Sequence, residues 1–169
     1  METDMKTKEL DTAFHDMLKD VYYAERQILK ALPKMARAAK SEQLKEAFKT
    51  HREETEGQKE RLEKVFELLG KRAQGKTCPA IDGIIEEGSE VMDEYKDSPA
   101  LDAALLAAAQ AVEHYEMARY GTLVAWARTL GMEDAAKLLA ETLEEEKKTD
   151  GLLNDLAGAE VNQSALAAA

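Results

Sequence analysis

Apolar residues recur at alternating steps of four and three along four long segments of this 169-residue chain, and that spacing admits little besides packed helices. Phe14, Leu18, Val21, Ile28, Leu32, Met35 and Ala39 form the first stripe, within residues 7–39. Ser41 is a good residue to open a second helix, which should reach Leu69 before Gly70 stops it. A third is expected from about Pro99 to Leu130, ended by Gly131, and a fourth from about Glu133 to Leu156. The turns near residues 40–42 and at Gly131 are too short for anything but antiparallel hairpins. Residues 71–98, by contrast, can span the length of a bundle, and Ile81, Ile84, Ile85, Val91 and Met92 suit a short extra helix within them. The second and third helices should then run parallel. Pro33 should kink the first helix, because it removes an amide donor and crowds the preceding turn.

The expected fold is therefore all-α: a four-helix bundle of two antiparallel hairpins with a long crossover containing a short extra helix. Residues 1–158 should form this single domain. Residues 159–169, with little to bury, should be a disordered tail. Nine glycines, three prolines and 5% aromatic residues exclude an all-β fold. Thirty-four acids against 23 bases leave a net charge of −11, which argues against nucleic acid as a partner. No stretch approaches the roughly 18 apolar residues of a membrane span. The opening METDMKTKELD lacks the apolar segment of a secretory signal, and the single cysteine, Cys78, cannot form an internal disulfide. A cytoplasmic location is expected. Cys78, just before Pro79, reads as an ordinary loop thiol.

Each stripe carries polar residues at its middle. Glu25 interrupts the first; His51, Thr55 and Gln58 interrupt Leu44, Phe48, Leu62, Val65 and Leu69 of the second, with Glu54 beside them. Glu116 falls within Leu105, Ala109, Val112, Tyr120, Leu123, Ala127 and Leu130, and Glu145 within Ala135, Leu138, Thr142, Thr149, Leu152 and Leu156. A weak repeat relates residue n to n + 91, pairing Glu25 with Glu116 and Glu54 with Glu145. Four glutamates at one height of a bundle cannot all stay ionised, since burying even one unpaired carboxylate costs several kcal/mol. Apart from Arg119, the stripes offer no comparable cation.

Divalent metal is the economical compensation. His51 lies three residues before Glu54 and Glu113 three before Glu116, so each sits one turn away on the same face. The expected ligands are Glu25, His51, Glu54, Glu113, Glu116 and Glu145. Five carboxylates and an imidazole are hard ligands that suit two iron or manganese ions better than zinc. Gln58, Tyr22, Tyr120 and Thr149 are candidates for supporting hydrogen bonds. His15 and His114 read as structural or exposed, the latter turned about 200° from Glu116.

The segments AERQILKAL, HREETEGQ, VEHYEMARYGTL and ETLEEEKKTD, in that order, resemble the YciE/YciF bacterial stress-protein family of the ferritin-like superfamily over residues 8–157. The resemblance implies a cytoplasmic, homodimeric stress protein with a dinuclear iron or manganese site. A dinuclear centre with carboxylate ligands of this type would suit reduction or dismutation of peroxide, or oxidation of ferrous iron. The Glu-x-x-His that the superfamily usually places on the second and fourth helices is absent. His51-x-x-Glu54 is reversed, Thr149 stands near the expected second histidine, and Glu113 adds a carboxylate. The alternative is a non-catalytic helical stress or interaction protein whose buried acids are protonated or hold a structural metal. Iron storage would need a hollow multi-subunit shell.

Overall fold

The computed structural model describes residues 9–167, all of whose regular structure is helical. The expected start of the first helix at residue 7, most of the opening segment read for a leader, and the last two residues of the tail lie outside the described residues. The elements are α1 (Leu10–Ala38), α2 (Glu42–Leu68), α3 (Pro79–Glu94), α4 (Leu101–Thr129) and α5 (Glu133–Leu156). A π-helical stretch, Ala157–Val161, follows, and then α6 (Asn162–Ala167). Helices α1 and α2 pair, α4 and α5 pair, and the hairpins meet through α1 on α4 and α2 on α5. The crossover helix α3 lies against α4 and α1.

Local chemistry sets the ends. The Ser41 hydroxyl accepts from the Leu44 amide and opens α2. Gly70 (φ 64°) and Gly131 (φ 73°) close α2 and α4 in the left-handed region, with Lys71 N–H bonding Phe66 C=O and Met132 N–H bonding Ala127 C=O. α1 runs through Pro33 without a break. The α1–α2 turn is tied to the start of α4, where the Asp102 carboxylate accepts from the amides of Lys40 and Ser41, both at 2.7 Å. Replacing Asp102 with Ala should therefore cost about 2–3 kcal/mol, since two charge-assisted bonds are lost. Urea unfolding would check this.

All eight positions read for the first stripe are buried, Ala39 lying just beyond the end of α1. The apolar core falls into two clusters. Phe14, Leu18, Leu62, Phe66, Leu123 and Leu139 belong to one, and Ile28, Leu32, Leu44, Phe48, Leu105 and Leu153 to the other. The polar residues at mid-helix lie where one cluster gives way to the other. α4 buries a broader face than the other helices, because it meets α1, α3 and α5, and that breadth takes in Glu113 as well as Glu116.

Two expectations change. Cys78 is a buried residue at the start of α3, its Sγ 3.1 Å from the Tyr115 hydroxyl. The crossover before it hugs α1: Lys76 N–H donates to Lys19 C=O, and a Cβ on Gly75 would come within 3.2 Å of Tyr23 Cβ. The segment expected to be a disordered tail instead continues as helix to Ala167. Its wider π turn re-phases the chain, and Val161 is buried against the second apolar cluster. Among the described residues no helix is long and apolar enough to cross a membrane.

Candidate metal centre

Glu25 from α1, His51 from α2, Glu113 and Glu116 from α4 and Glu146 from α5 are all buried at mid-bundle. One ligand-type atom from each of His51, Glu113, Glu116 and Glu146 lies within 4.8 Å of the others. His51 Nδ1 is 3.0 Å from Glu113 Oε1, and His51 Nε2 is 3.9 Å from Glu146 Oε2. Glu25 adjoins this group and accepts a 2.5 Å hydrogen bond from the Tyr120 hydroxyl. Gln58 donates its amide to Glu146, and to Glu145 Oε2 at 3.1 Å.

Much of this polarity has no partner. Both oxygens of Glu113 and of Glu116, one oxygen each of Glu25 and Glu146, and His51 Nε2 are buried without a hydrogen bond. Carboxylates so placed bond one another only when one of them holds a proton; ionised, they have no donor and repel. Burial, reinforced by the charge on Glu146, pushes the Glu25 carboxyl up to about 8, against the opposing bonds from Tyr120 and Glu116. Burial and Glu146 likewise push Glu113 to about 12 and Glu116 well above the carboxylate range. Burial also disfavours the ionised form of Glu146. Protons on Glu113 and Glu116, the neighbouring His51 and the Gln58 amide nevertheless hold it below the usual range. Desolvation lowers His51, against the raising charges of Glu146 and Glu54, which favours the neutral imidazole that a metal needs.

The structure redraws the buried polar cluster expected from sequence. Glu25, His51, Glu113 and Glu116 are buried together as anticipated. Glu54 is half-buried at the edge, accepts from the Thr149 hydroxyl at 3.2 Å, and lies outside the group of four. Glu145 was expected to be the inward glutamate of the last helix, and that expectation is corrected. Its side chain is 32% exposed and bound by Arg61, with Nη2 2.8 Å from Oε1, whereas Glu146 is fully buried. α5 buries Ala135, Leu139, Thr142, Glu146, Thr149 and Leu153 and leaves Leu152 52% exposed.

A signal for this register was present in the repeat. The stripe of the second helix, moved by 91 residues, places Leu44, Phe48, His51, Thr55, Gln58 and Leu62 on Ala135, Leu139, Thr142, Glu146, Thr149 and Leu153. That is the buried face of α5. Following the matched glutamates alone pairs Glu54 with Glu145, and both turn out half-buried. Arg61 was also missed. It lies beside the stripe of α2 and reaches Glu141, Thr142 and Glu145. Of the proposed supporting residues, Gln58, Tyr120 and Thr149 bond site or site-edge carboxylates, whereas Tyr22 donates to Glu63. His114 is exposed, its Nε2 3.1 Å from Asp150, and the ring of His15 stands edge-on to Phe66.

A family model described as "Domain of unknown function (DUF892)" matches residues 9–166. Protein YciF of Escherichia coli (strain K12) is 49% identical over 162 residues, covering 95% of this chain and 98% of YciF. The crystal structure of that E. coli stress protein superposes with a TM-score of 0.88 over 92% of this chain and 99% of its own. YcfI from Rhodopseudomonas palustris, described as a candidate structural protein, is 47% identical, with a TM-score of 0.85 over 89% of this chain and 96% of its own. A Xanthomonas campestris protein at 24% identity and TM-score 0.74 shares the fold, over 92% of this chain and 96% of its own.

Proposed function

We propose, for a chain that belongs to the DUF892 family and is similar to the stress protein YciF, a metal-binding role centred on Glu25, His51, Glu113, Glu116 and Glu146. The observation that carries this reading is the set of buried, unpartnered carboxylate and imidazole atoms converging from four helices. Without a cation they are costly; with one, their lone pairs are used. Four buried glutamates and a neutral imidazole match the charge of two divalent ions, and the oxygen-rich donor set favours iron or manganese. Tyr120 would orient Glu25 and Gln58 would orient Glu146.

Iron or manganese held there would supply redox chemistry suited to reducing or dismutating a small oxidant such as peroxide, or to oxidising ferrous iron. The chain's own residues would bind and orient the ions, keep His51 neutral and exclude bulk water. A cytoplasmic stress-response setting and a homodimer belong to the same proposal, the latter to be tested by light scattering.

Elemental analysis of protein purified without a metal-affinity tag tests the reading. About two iron or manganese per chain is expected from the charge match. No transition metal after anaerobic reconstitution would leave the second reading, a non-catalytic helical protein with protonated buried acids. The raised carboxyl groups of Glu25, Glu113 and Glu116, and the description of YcfI, favour that alternative.

A further inference from the structure

A cavity of about 160 Å³ lies between α1, α3 and α4. Its wall is aliphatic, built from Ile28 and Leu32 of α1, Ile84, Ile85 and Met92 of α3, and Val112 of α4. The buried His51 and Glu113 also line it. Its rim carries the exposed Lys30 and Lys34, one turn apart on α1 and, among the described residues, engaged in no ion pair. Lys45, Lys49, Lys59 and Lys147 each bond an acid three residues earlier, whereas Lys30 and Lys34 have Gln27 and Ala31 at that spacing. In a chain of net charge −11, a pair of unneutralised lysines at the mouth of an apolar cavity selects an anionic group outside and hydrocarbon within.

We propose that this cavity binds a small amphipathic carboxylate, its hydrocarbon chain packed against Ile28, Leu32, Ile84 and Val112 and its carboxylate at Lys30 and Lys34. A cavity of this size holds about a benzene's volume, so a chain of roughly six carbons fits. Desolvating that chain drives binding, and the lysines set its direction and distinguish the acid from a neutral hydrocarbon. The site goes beyond the metal reading and does not rest on it, although its lining is shared with two of the proposed ligands.

The test uses the full chain with ¹³C-methyl methionine, because Met35 and Met92 both line the cavity. Hexanoate is expected to shift both methyl resonances saturably, with and without bound metal, and to be displaced competitively by benzene. Lys30→Glu combined with Lys34→Glu should weaken hexanoate at least tenfold and leave benzene unchanged. Gly88→Leu should block both ligands, because Gly88 faces the cavity and even its Cβ would stand 3.8 Å from Ala108 Cβ. Metal content, measured in parallel, reports on the metal centre separately. No saturable shift with hexanoate in the wild type, or benzene binding that hexanoate does not contest, would overturn the proposal. So would equal hexanoate affinity in the doubly substituted lysine variant. The wild-type titrations decide the matter even if Gly88→Leu fails to fold.

Discussion

Glu146→Gln should reduce bound iron or manganese to less than half the wild-type amount, whereas Glu145→Gln should leave it essentially unchanged. The two residues are neighbours with the same chemistry, so the contrast isolates orientation. Glu146 is fully buried, receives the Gln58 amide and stands with His51, Glu113 and Glu116. Glu145 points to Arg61, and its loss should cost about 1 kcal/mol at most, as for other partly exposed ion pairs. Elemental analysis, with circular dichroism to verify folding, gives the answer. Equal loss in both variants would mean that Glu145 turns inward when metal binds, and the ligand set would need redrawing.

Metal-free protein should lose stability as pH rises from about 7 to 9, and metal-loaded protein should not. The carboxyls of Glu25, Glu113 and Glu116 titrate higher folded than unfolded, so the folded chain holds more protons in that window. Stability that depends on a raised group is complete below its unfolded value and is lost as pH passes its folded value, about 8 for Glu25. Each excess proton is worth about 1.4 kcal/mol per pH unit. His51 and Glu146 shift the opposite way; Glu146 has finished titrating by pH 7, and His51, from its ordinary value of 6.5, opposes the slope only weakly above pH 7. Once ions hold the carboxylates in their ionised form, the excess protons are gone and the slope flattens. Guanidinium unfolding at several pH values, with chelator and with metal, measures both curves. A metal-free stability that stays flat from pH 7 to 9 would contradict the strained carboxylate cluster.

The fold was largely legible because its signals are local. The first stripe contains one residue type per position and only one plausible phase, so Phe14 through Ala39 came out buried as read. Ser41, Gly70 and Gly131 act through backbone geometry within a few residues of themselves, and each ends or begins a helix where expected. Glu113 is likewise where its spacing to Glu116 puts it. The last helix was different. Leu138 and Leu139, Glu145 and Glu146, and Leu152 and Leu153 are like pairs spaced seven apart, so two phases look equally apolar and equally acidic. Turning the helix by about 50°, half of one residue's angle, exchanges every member of those pairs while Ala135, Thr142 and Thr149 stay inward in both.

The sequence by itself determined the helices, their hairpin pairing, the long crossover and the presence of acids at mid-bundle. Those follow from period, turn length and capping, which are properties of neighbouring residues. Only the tertiary structure decided which face α5 presents. Arg61, reaching from α2, pairs with Glu145 at the bundle's edge, while the apolar clusters close over Leu139 and Leu153. It also decided that Cys78 is enclosed beside Tyr115, and that α3, laid over α1 and α4, leaves a cavity reaching His51 and Glu113. These outcomes depend on contacts between residues dozens of positions apart, whose free energies discriminate only after the helices have packed.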